Sequence, residues 1–311
     1  MGLTIGVDVG GTKIAAGVVS EDGRILEEQR KKTPARDTAA TLAAIVAVIR
    51  ELSERHDVEA VGIGAAGFVG RDRSTVLFAP NLAWRDEPLG SAVHAAIDLP
   101  VVVENDVNAA AWGEFQFGAG EDVDDVLMVA VGTGVGGGIV IDGQLMRGSF
   151  GVAAEIGHLR VVPQGLPCGC GRHGCWEQYA SGRALVRQAR SRVWDGDPLL
   201  GLAGGDPNRI TGPMVTEEAK SGDALCISLL ADLGYWLGAG IASLAAVLDP
   251  GVVVLGGGVS EAGDLLLAPV QRSIDNHLPA GDNRPNLHLR TATLGNEAGL
   301  IGAADLARIR S

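Results

Sequence analysis

The chain has 311 residues, a formal net charge of −13 and 46% hydrophobic residues. That length suits about two domains, and the apolar content excludes a disordered chain. The acidic balance, with a pI near 4.9, excludes nucleic acid and anionic membrane surfaces as expected partners.

Glycine is abundant, at 46 residues. No G-X-Y period is present, which rules out collagen; the glycines cluster after apolar runs, as tight turns and close backbone approach to a ligand require. The opening MGLTIGVDVGGTK carries Asp8 within its apolar run and no early base, so it does not read as an export signal. Four cysteines then imply a reducing cytoplasm.

In chain order, Leu3 to Val9 reads as a buried strand, Gly10-Gly11-Thr12 turns the chain, and Lys13 to Val19 returns. Asp22-Gly23 makes a hairpin into Arg24 to Lys31. Thr38 to Arg55 has helical spacing, Val58 to Ala65 and Pro100 to Val103 read as strands, and Asp106 to Phe117 as a helix. The opening pattern then recurs. Val126 to Val131 is a strand, Gly132-Thr133-Gly134 turns it, Gly137 to Ile141 returns, and Asp142-Gly143 leads into Gln144 to Arg147. Two copies of one supersecondary unit are the dominant signal.

A Cys-rich loop fills 163–177, followed by a helix from Ser181, another from Glu217 to Leu248, and a strand at Val252 to Leu255. Gly256-Gly257-Gly258, a helix from Ser260 to about Asp275, a strand near Leu287 to Thr291 and a helix from Glu297 to Ile309 close the chain. The longest uncharged helical run, Leu233 to Leu248, falls short of the about 20 residues of a membrane span and reads as a core helix. No linker marks a boundary. The second copy places it near 104–106, giving a small domain of 1–105 and a larger one of 106–296, with helix 297–311 packing back on the first.

No Walker loop is present. GxGxxG occurs at Gly62/Gly64/Gly67 and at Gly132/Gly134/Gly137, but neither opens a helix, which makes a Rossmann dehydrogenase a minority reading. Strand-to-strand turns can aim backbone N–H groups at phosphate oxygens. Three such candidates stand out: Gly10, Gly11, Thr12 and Lys13; Gly132, Thr133 and Gly134; and Gly256, Gly257 and Gly258. Asp8 beside the first would repel a bare phosphate and makes sense with Mg²⁺ between them.

Cys168-x-Cys170-x₄-Cys175 lies in a loop with almost nothing to bury, so a structural Zn²⁺ is the expected cross-link. His158 and His173 compete for the fourth position. Cys226, in an apolar helix, reads as core. Asp106, Glu155 and Glu177, with Asn105 and His158, form a set suited to paired hydrogen bonds with vicinal hydroxyls. Asn105-Asp106 follows an apolar strand, where α/β sheets place ligands; helix capping explains the pair equally well.

Together DVGGTK, the GTG loop and the GGG loop resemble the sugar kinase, heat-shock ATPase and actin superfamily. Within it the chain resembles the ROK family of bacterial sugar kinases, through ENDVNA (104–109), EIGH (155–158) and CGCGRHGCWE (168–177). Its EQYASGRAL stretch is similar to that of the actinobacterial, glucose-phosphorylating members. The resemblance implies an α/β fold of two actin-like (ribonuclease H-like) domains clamping ATP and sugar in a cleft. It implies phosphorylation of D-glucose at the 6-hydroxyl, with Asp106 as base and Asn105, Glu155, His158 and Glu177 holding the sugar. It selects His158 as the zinc ligand, adds Gly67 and Asn81 as sugar-edge contacts, and implies a dimer or tetramer. Rival readings are a ROK kinase for N-acetylmannosamine, fructose or mannose, with polyphosphate as another conceivable donor. A sugar-responsive repressor is disfavoured, because the first strand starts at Leu3 and leaves no room for a winged helix. A non-catalytic sensor is disfavoured by Asp8 and Asp106. His56, His94, His277 and His288 fit no constellation.

Overall fold

The computed structural model describes residues 2–309; Met1, Arg310 and Ser311, the last two from the end of the expected helix 297–311, lie outside the described residues. The first half runs β1 (Leu3–Val9), β2 (Lys13–Val19), β3 (Ile25–Lys32), α1 (Thr38–Ser53) and β4 (Val58–Ala65). Three short strands follow, β5 (Phe68–Val69), β6 (Val76–Phe78) and β7 (Arg85–Glu87), then α2 (Leu89–Ile97), β8 (Val101–Asn105) and α3 (Asp106–Phe117). The second half begins with β9 (Val126–Val131), β10 (Val135–Ile141) and β11 (Gln144–Leu145). It continues with α4 (Glu177–Ala180), α5 (Gly182–Arg192), α6 (Pro198–Leu202), α7 (Gly212–Lys220) and α8 (Ala224–Leu248). β12 (Val252–Gly256), α9 (Asp264–His277), β13 (His288–Thr291) and α10 (Ala298–Arg308) complete the chain.

One five-stranded sheet has the order β3-β2-β1-β4-β8 and another the order β11-β10-β9-β12-β13, so the topology repeats strand for strand. In the first, β1 to β3 are antiparallel neighbours, and β4 and β8 add in parallel. Parallel strands need long crossovers, supplied here by α1 and α2. The second hairpin turns at Asp142 and Gly143, both with positive φ, as the twist of a two-residue connection demands. β1 and β4 carry near-continuous buried residues because both sheet faces are covered.

Two compact units result. The first comprises Met1–Leu127, Gly138–Ala154 and Ala292–Ser311; the second comprises Met128–Gly137 and Glu155–Thr291. This division differs from the expected 1–105 and 106–296: α3 stays with the first unit, because it packs closely on α10. Glycines make that approach possible. A Cβ on Gly62 of β4 would collide with the Ala303 carbonyl, and one on Gly302 with the Ala109 carbonyl. Gly302→Ala should therefore lower stability by about 1–3 kcal/mol through overpacking, read as a drop in Tm.

Some elements differ from expectation. The helix expected over Glu217 to Leu248 is two helices, since Gly222 takes φ 96° and Asp223 caps α8 by accepting from the Cys226 N–H at 2.7 Å. The helix expected from Ser260 starts at Asp264, because Gly263 (φ 58°) ends a 3₁₀ turn. The β5–β7 sheet and α2 are additions; their strands are too short to give a periodic signal. Helix α8 has 25 residues and is long and apolar enough to cross a membrane. Its Leu229, Leu230, Leu233, Leu237 and Ile241 are buried and it packs along α9, as a core helix does.

Candidate active site

In the first unit, the predicted residues gather at the carboxyl ends of β1, β4 and β8. Asp8, Gly64 and Glu104 are register partners across these strands. Gly64 has no side chain, and its position lets the Asp106 backbone lie close: a Cβ there would be 3.6 Å from Asp106 Cα. Asn105 is the N-cap of α3, its Oδ1 accepting from the Val107 and Asn108 N–H groups at 3.0 and 2.9 Å. Its amide nitrogen donates to the Gly67 carbonyl and to Asp106 Oδ1, both at 3.1 Å. So the cap is Asn105, and Asp106 is the first helical residue, with Oδ1 fixed by Asn105 and by the Val107 N–H at 3.0 Å.

Burial pushes the Asp106 carboxyl up to about 7, with a further push from the Asp8 charge. Burial raises Asp8 as well, against an opposing pull from Lys13. Two close carboxylates that resist ionising together are suited to taking up a proton or facing a cation. Asp8 takes no hydrogen bond from any described side chain or N–H, which leaves its oxygens open to hydrated Mg²⁺. In the adjacent turn, the Gly10 N–H donates to the Lys13 carbonyl at 3.0 Å, while those of Gly11 and Thr12 have no protein acceptor among the described residues. Gly11 packs closely against Asn81: a Cβ would lie 3.0 Å from Asn81 Cβ, so Asn81 would have to shift.

Behind this pair lies a network that sequence reasoning missed. Glu104, 1% exposed, accepts from the Asn105 N–H at 3.0 Å and from Asn108 Nδ2 at 3.2 Å. Its other oxygen is 2.6 Å from Arg147 Nε and 3.7 Å from Arg73 Nη2. The available signal was a carboxylate closing the apolar run PVVVE, which nothing but a buried cation would tolerate.

In the second unit, Gly132, Thr133 and Gly134 form the matching turn. The Gly132 N–H donates to the Gly134 carbonyl at 3.0 Å, and those of Thr133 and Gly134 have no protein acceptor among the described residues. Gly256 is the buried end of β12, Gly257 takes φ 89° against the Val131 backbone, and Gly258 is open. A cavity of ≈ 740 Å³ is lined by Gly132, Thr133 and Gly258, together with Arg183, Arg187 and Lys220. That volume holds a nucleotide-sized ligand. The basic residues were missed, although Arg183, Arg187 and Arg190 recur at one-turn spacing along α5.

His158, Cys168, Cys170 and Cys175 bring their donor atoms within 4.8 Å of one another. Cys168 Sγ lies 3.7 Å from His158 Nδ1, and Cys170 Sγ 3.6 Å from Cys175 Sγ. A tetrahedron with Zn–S bonds near 2.3 Å has edges of about 3.8 Å, so the donor set fits Zn²⁺ in kind and in spacing. His173 is exposed and outside the cluster, which decides between the two histidines. The loop is pinned by the Cys168 N–H donating to the Arg172 carbonyl at 2.7 Å and by the Leu166 N–H donating to Tyr179 at 2.8 Å. The protonated Cys168 thiol donates to Glu177 Oε1 at 3.0 Å; as a zinc ligand it would have no proton to give, so the cluster's link to Glu177, the first residue of α4, is the two-residue step from Cys175. A Cβ on Gly134 would come 2.6 Å from Glu177 Oε2, placing that carboxylate against the turn. Glu155 sits at the start of the 3₁₀ turn that ends in His158, its carbonyl accepting from the His158 N–H at 3.0 Å.

The chain is 52% identical to glucokinase of Streptomyces coelicolor over 99% of this chain and 98% of that protein. It superposes on a ROK family glucokinase from Streptomyces griseus, solved with glucose and AMPPNP, with a TM-score of 0.89 at 55% identity over 99% of this chain and 100% of that one. A ROK hexokinase from Thermus thermophilus matches with a TM-score of 0.81 at 35% identity, over 99% and 98%. The duplicated sheet order is that of the actin-like fold these kinases share. With the ROK family model matching residues 4–310, the paired glycine turns, the END strand end and the Cys₃His cluster fall into one lineage: the chain belongs to the ROK family.

Proposed function

We propose that this chain is an ATP-dependent glucokinase, converting ATP and D-glucose to ADP and glucose 6-phosphate. The observation that carries the reading is Asp106, a half-buried carboxyl at a strand's end, raised to about 7 beside Asp8 and oriented by Asn105. A sugar hydroxyl is a weak nucleophile and needs a base within hydrogen-bond reach. The free Asp106 oxygen accepts the 6-hydroxyl proton as the sugar's 6-oxygen attacks the γ-phosphorus. The bond from the γ-phosphorus to the bridging oxygen breaks, and ADP leaves. The N–H groups of Gly11 and Thr12 in the first unit, and in the second those of Thr133 and Gly134 with the Gly257-Gly258 turn, are each suited to donate to phosphate oxygens as charge spreads in the transition state. Lys13 adds positive charge near Asp8. Mg²⁺, held by Asp8 directly or through water, supplies neutralisation of the phosphate charge.

Glu155, His158 and Glu177 are the sugar-holding residues of the second unit, and Gly67 and Asn81 are the sugar-edge residues of the first. The Asn105 side chain is committed to protein partners, so its part is chiefly to orient Asp106. Zn²⁺ on His158, Cys168, Cys170 and Cys175 is structural, fixing the His158 ring and the entry to Glu177. Four cysteines without a disulfide suit a cytoplasmic setting. We extend the proposal to a dimer or tetramer, consistent with the exposed Tyr235 and Val247 on α8 and checked by sedimentation equilibrium.

A coupled assay over a panel of sugars and donors tests the reading. Glucose with ATP should give the highest kcat/KM, with N-acetylmannosamine, fructose and mannose at least about tenfold lower, the discrimination that one buried hydroxyl contact supplies. A preference for another sugar, or for polyphosphate over ATP, would replace the glucokinase reading.

A further inference from the structure

We infer that Arg147 is a positioning residue for the phosphoryl-transfer centre: through buried Glu104 it fixes Asn105 and Asp106 from behind, and it ties the 147–154 segment to them. The inference rests on Asp106 as the base.

The geometry makes Arg147 a junction. Its Nε is 2.6 Å from Glu104 Oε2, Nη2 donates to the Gly70 carbonyl at 2.9 Å, and Nη1 approaches the Arg71 carbonyl at 3.3 Å. Arg147 is 9% exposed and Glu104 1%, so this charge pair is desolvated. The opposite oxygen of Glu104 accepts from the Asn105 N–H and from Asn108 Nδ2. Asn105 passes the constraint on, since its amide nitrogen holds both the Gly67 carbonyl and Asp106 Oδ1. One guanidinium thus braces two segments. One is the 67–71 backbone, the other the β8–α3 junction that presents the carboxylate.

Arg147 also begins the segment that ends at Ala154, a non-glycine residue at φ 68°, directly before Glu155. The Gly151 α-carbon lies so close to Val69 and Gly70 that a Cβ would sit 2.6 Å from the Val69 carbonyl, so this segment has one seat on the 69–71 backbone. The chain carrying Glu155 and His158 therefore leaves from a stretch held by the same arginine that holds Asp106 in place. Arginine suits the task because its planar fork reaches a carboxylate and two carbonyls at once, which a lysine cannot do.

The test separates bracing from charge balance. Arg147→Met leaves buried Glu104 with only its longer contact to Arg73, at 3.7 Å, and should lower both Tm and kcat. Glu104→Gln/Arg147→Met removes both charges of the short pair, while the amide introduced at position 104 can still accept from Asn105, so Tm should recover at least in part, Arg73 keeping its charge without the Glu104 carboxylate. In that stable double variant the brace is still missing. Its kcat should stay down by about tenfold to a hundredfold, with KM for ATP within about twofold of wild type. Arg147→Lys should restore Tm more than it restores kcat. A double variant with kcat within about twofold of wild type would overturn the inference, leaving Arg147 as a counter-ion only. If Arg147→Met does not fold, the double variant decides alone. Asp106→Asn is assayed alongside. If Asp106→Asn is near wild type, the base assignment itself fails; if it is inactive while the double variant is fast, only the bracing role fails.

Discussion

Asp106→Asn should fold, keep its metal and bind glucose, while kcat falls by about 10²–10⁴-fold. The substitution keeps the side chain's size and the oxygen that accepts from Asn105 and Val107, and removes the proton acceptor. Stability should move the other way. Asp106 and Asp8 oppose each other's ionisation. At pH 8 Asp106 is largely ionised in a buried setting that disfavours its charge, so the neutral asparagine should leave Tm at that pH unchanged or higher. A residue serving only α3 would behave differently. An acid in the first turn is worth about 0.3–1 kcal/mol against the helix dipole, and its loss would lower Tm with kcat intact. Rate and stability together therefore distinguish base from helix-end acid, provided kcat is measured where chemistry limits turnover.

Cys175→Ala should lose the bound metal and raise KM for glucose by about tenfold or more, with a smaller effect on KM for ATP. The connection is short. Cys175 is two residues before Glu177, so a metal on Cys175 would fix the backbone that carries this carboxylate. The loop has few other anchors. Residues 163–173 are mostly exposed, and Gly174 is packed so tightly against the Val162 carbonyl that the turn has one conformation. Without the metal this turn should loosen and become sensitive to proteolysis. Cys226→Ala is the control. Cys226 is buried in α8 away from the cluster, and its variant should keep one Zn²⁺ per chain by elemental analysis. Wild-type protein without zinc would contradict the assignment.

Much of this was legible because it rests on local chemistry. The paired glycine turns and Asp-Gly hairpins specify backbone conformations that few residues adopt, and their order announced the duplicated sheets. The cysteine spacing pointed to a cluster of donors, and the structure brings His158, Cys168, Cys170 and Cys175 together. What stayed hidden was non-local. Whether Asn105 or Asp106 caps α3 depends on one residue of register at the β8–α3 junction, and both residue types are good caps. Arg147 and Glu104 lie 43 positions apart, and nothing along the chain marks them as partners. Glu104 stood within the quoted END motif, yet only its burial shows what it does. That α10 packs back on the first unit was expected; that α3 stays with it was not, because their contact depends on glycines that face each other across it, Gly113 and Gly302. The arginines of α5 drew no reading from the sequence, because only the fold sets Arg183, Arg187 and Arg190 along the cavity that holds Thr133 and Gly258.

The pH dependence of kcat/KM for glucose, at subsaturating ATP, tests the central claim most directly, because that parameter reports the free enzyme's base. Asp106 is raised to about 7, so it is protonated below that pH and cannot take the hydroxyl proton. The charged groups around it are Asp8, which raises it, Lys13, which pulls on Asp8, and the Glu104–Arg147–Arg73 cluster behind Asn105. The account predicts an acid limb with its midpoint near 7, far above the about 3.9 of a free aspartate, and predicts that the residual activity of Asp106→Asn lacks this limb. The same limb, with the same midpoint, persisting in Asp106→Asn would contradict it.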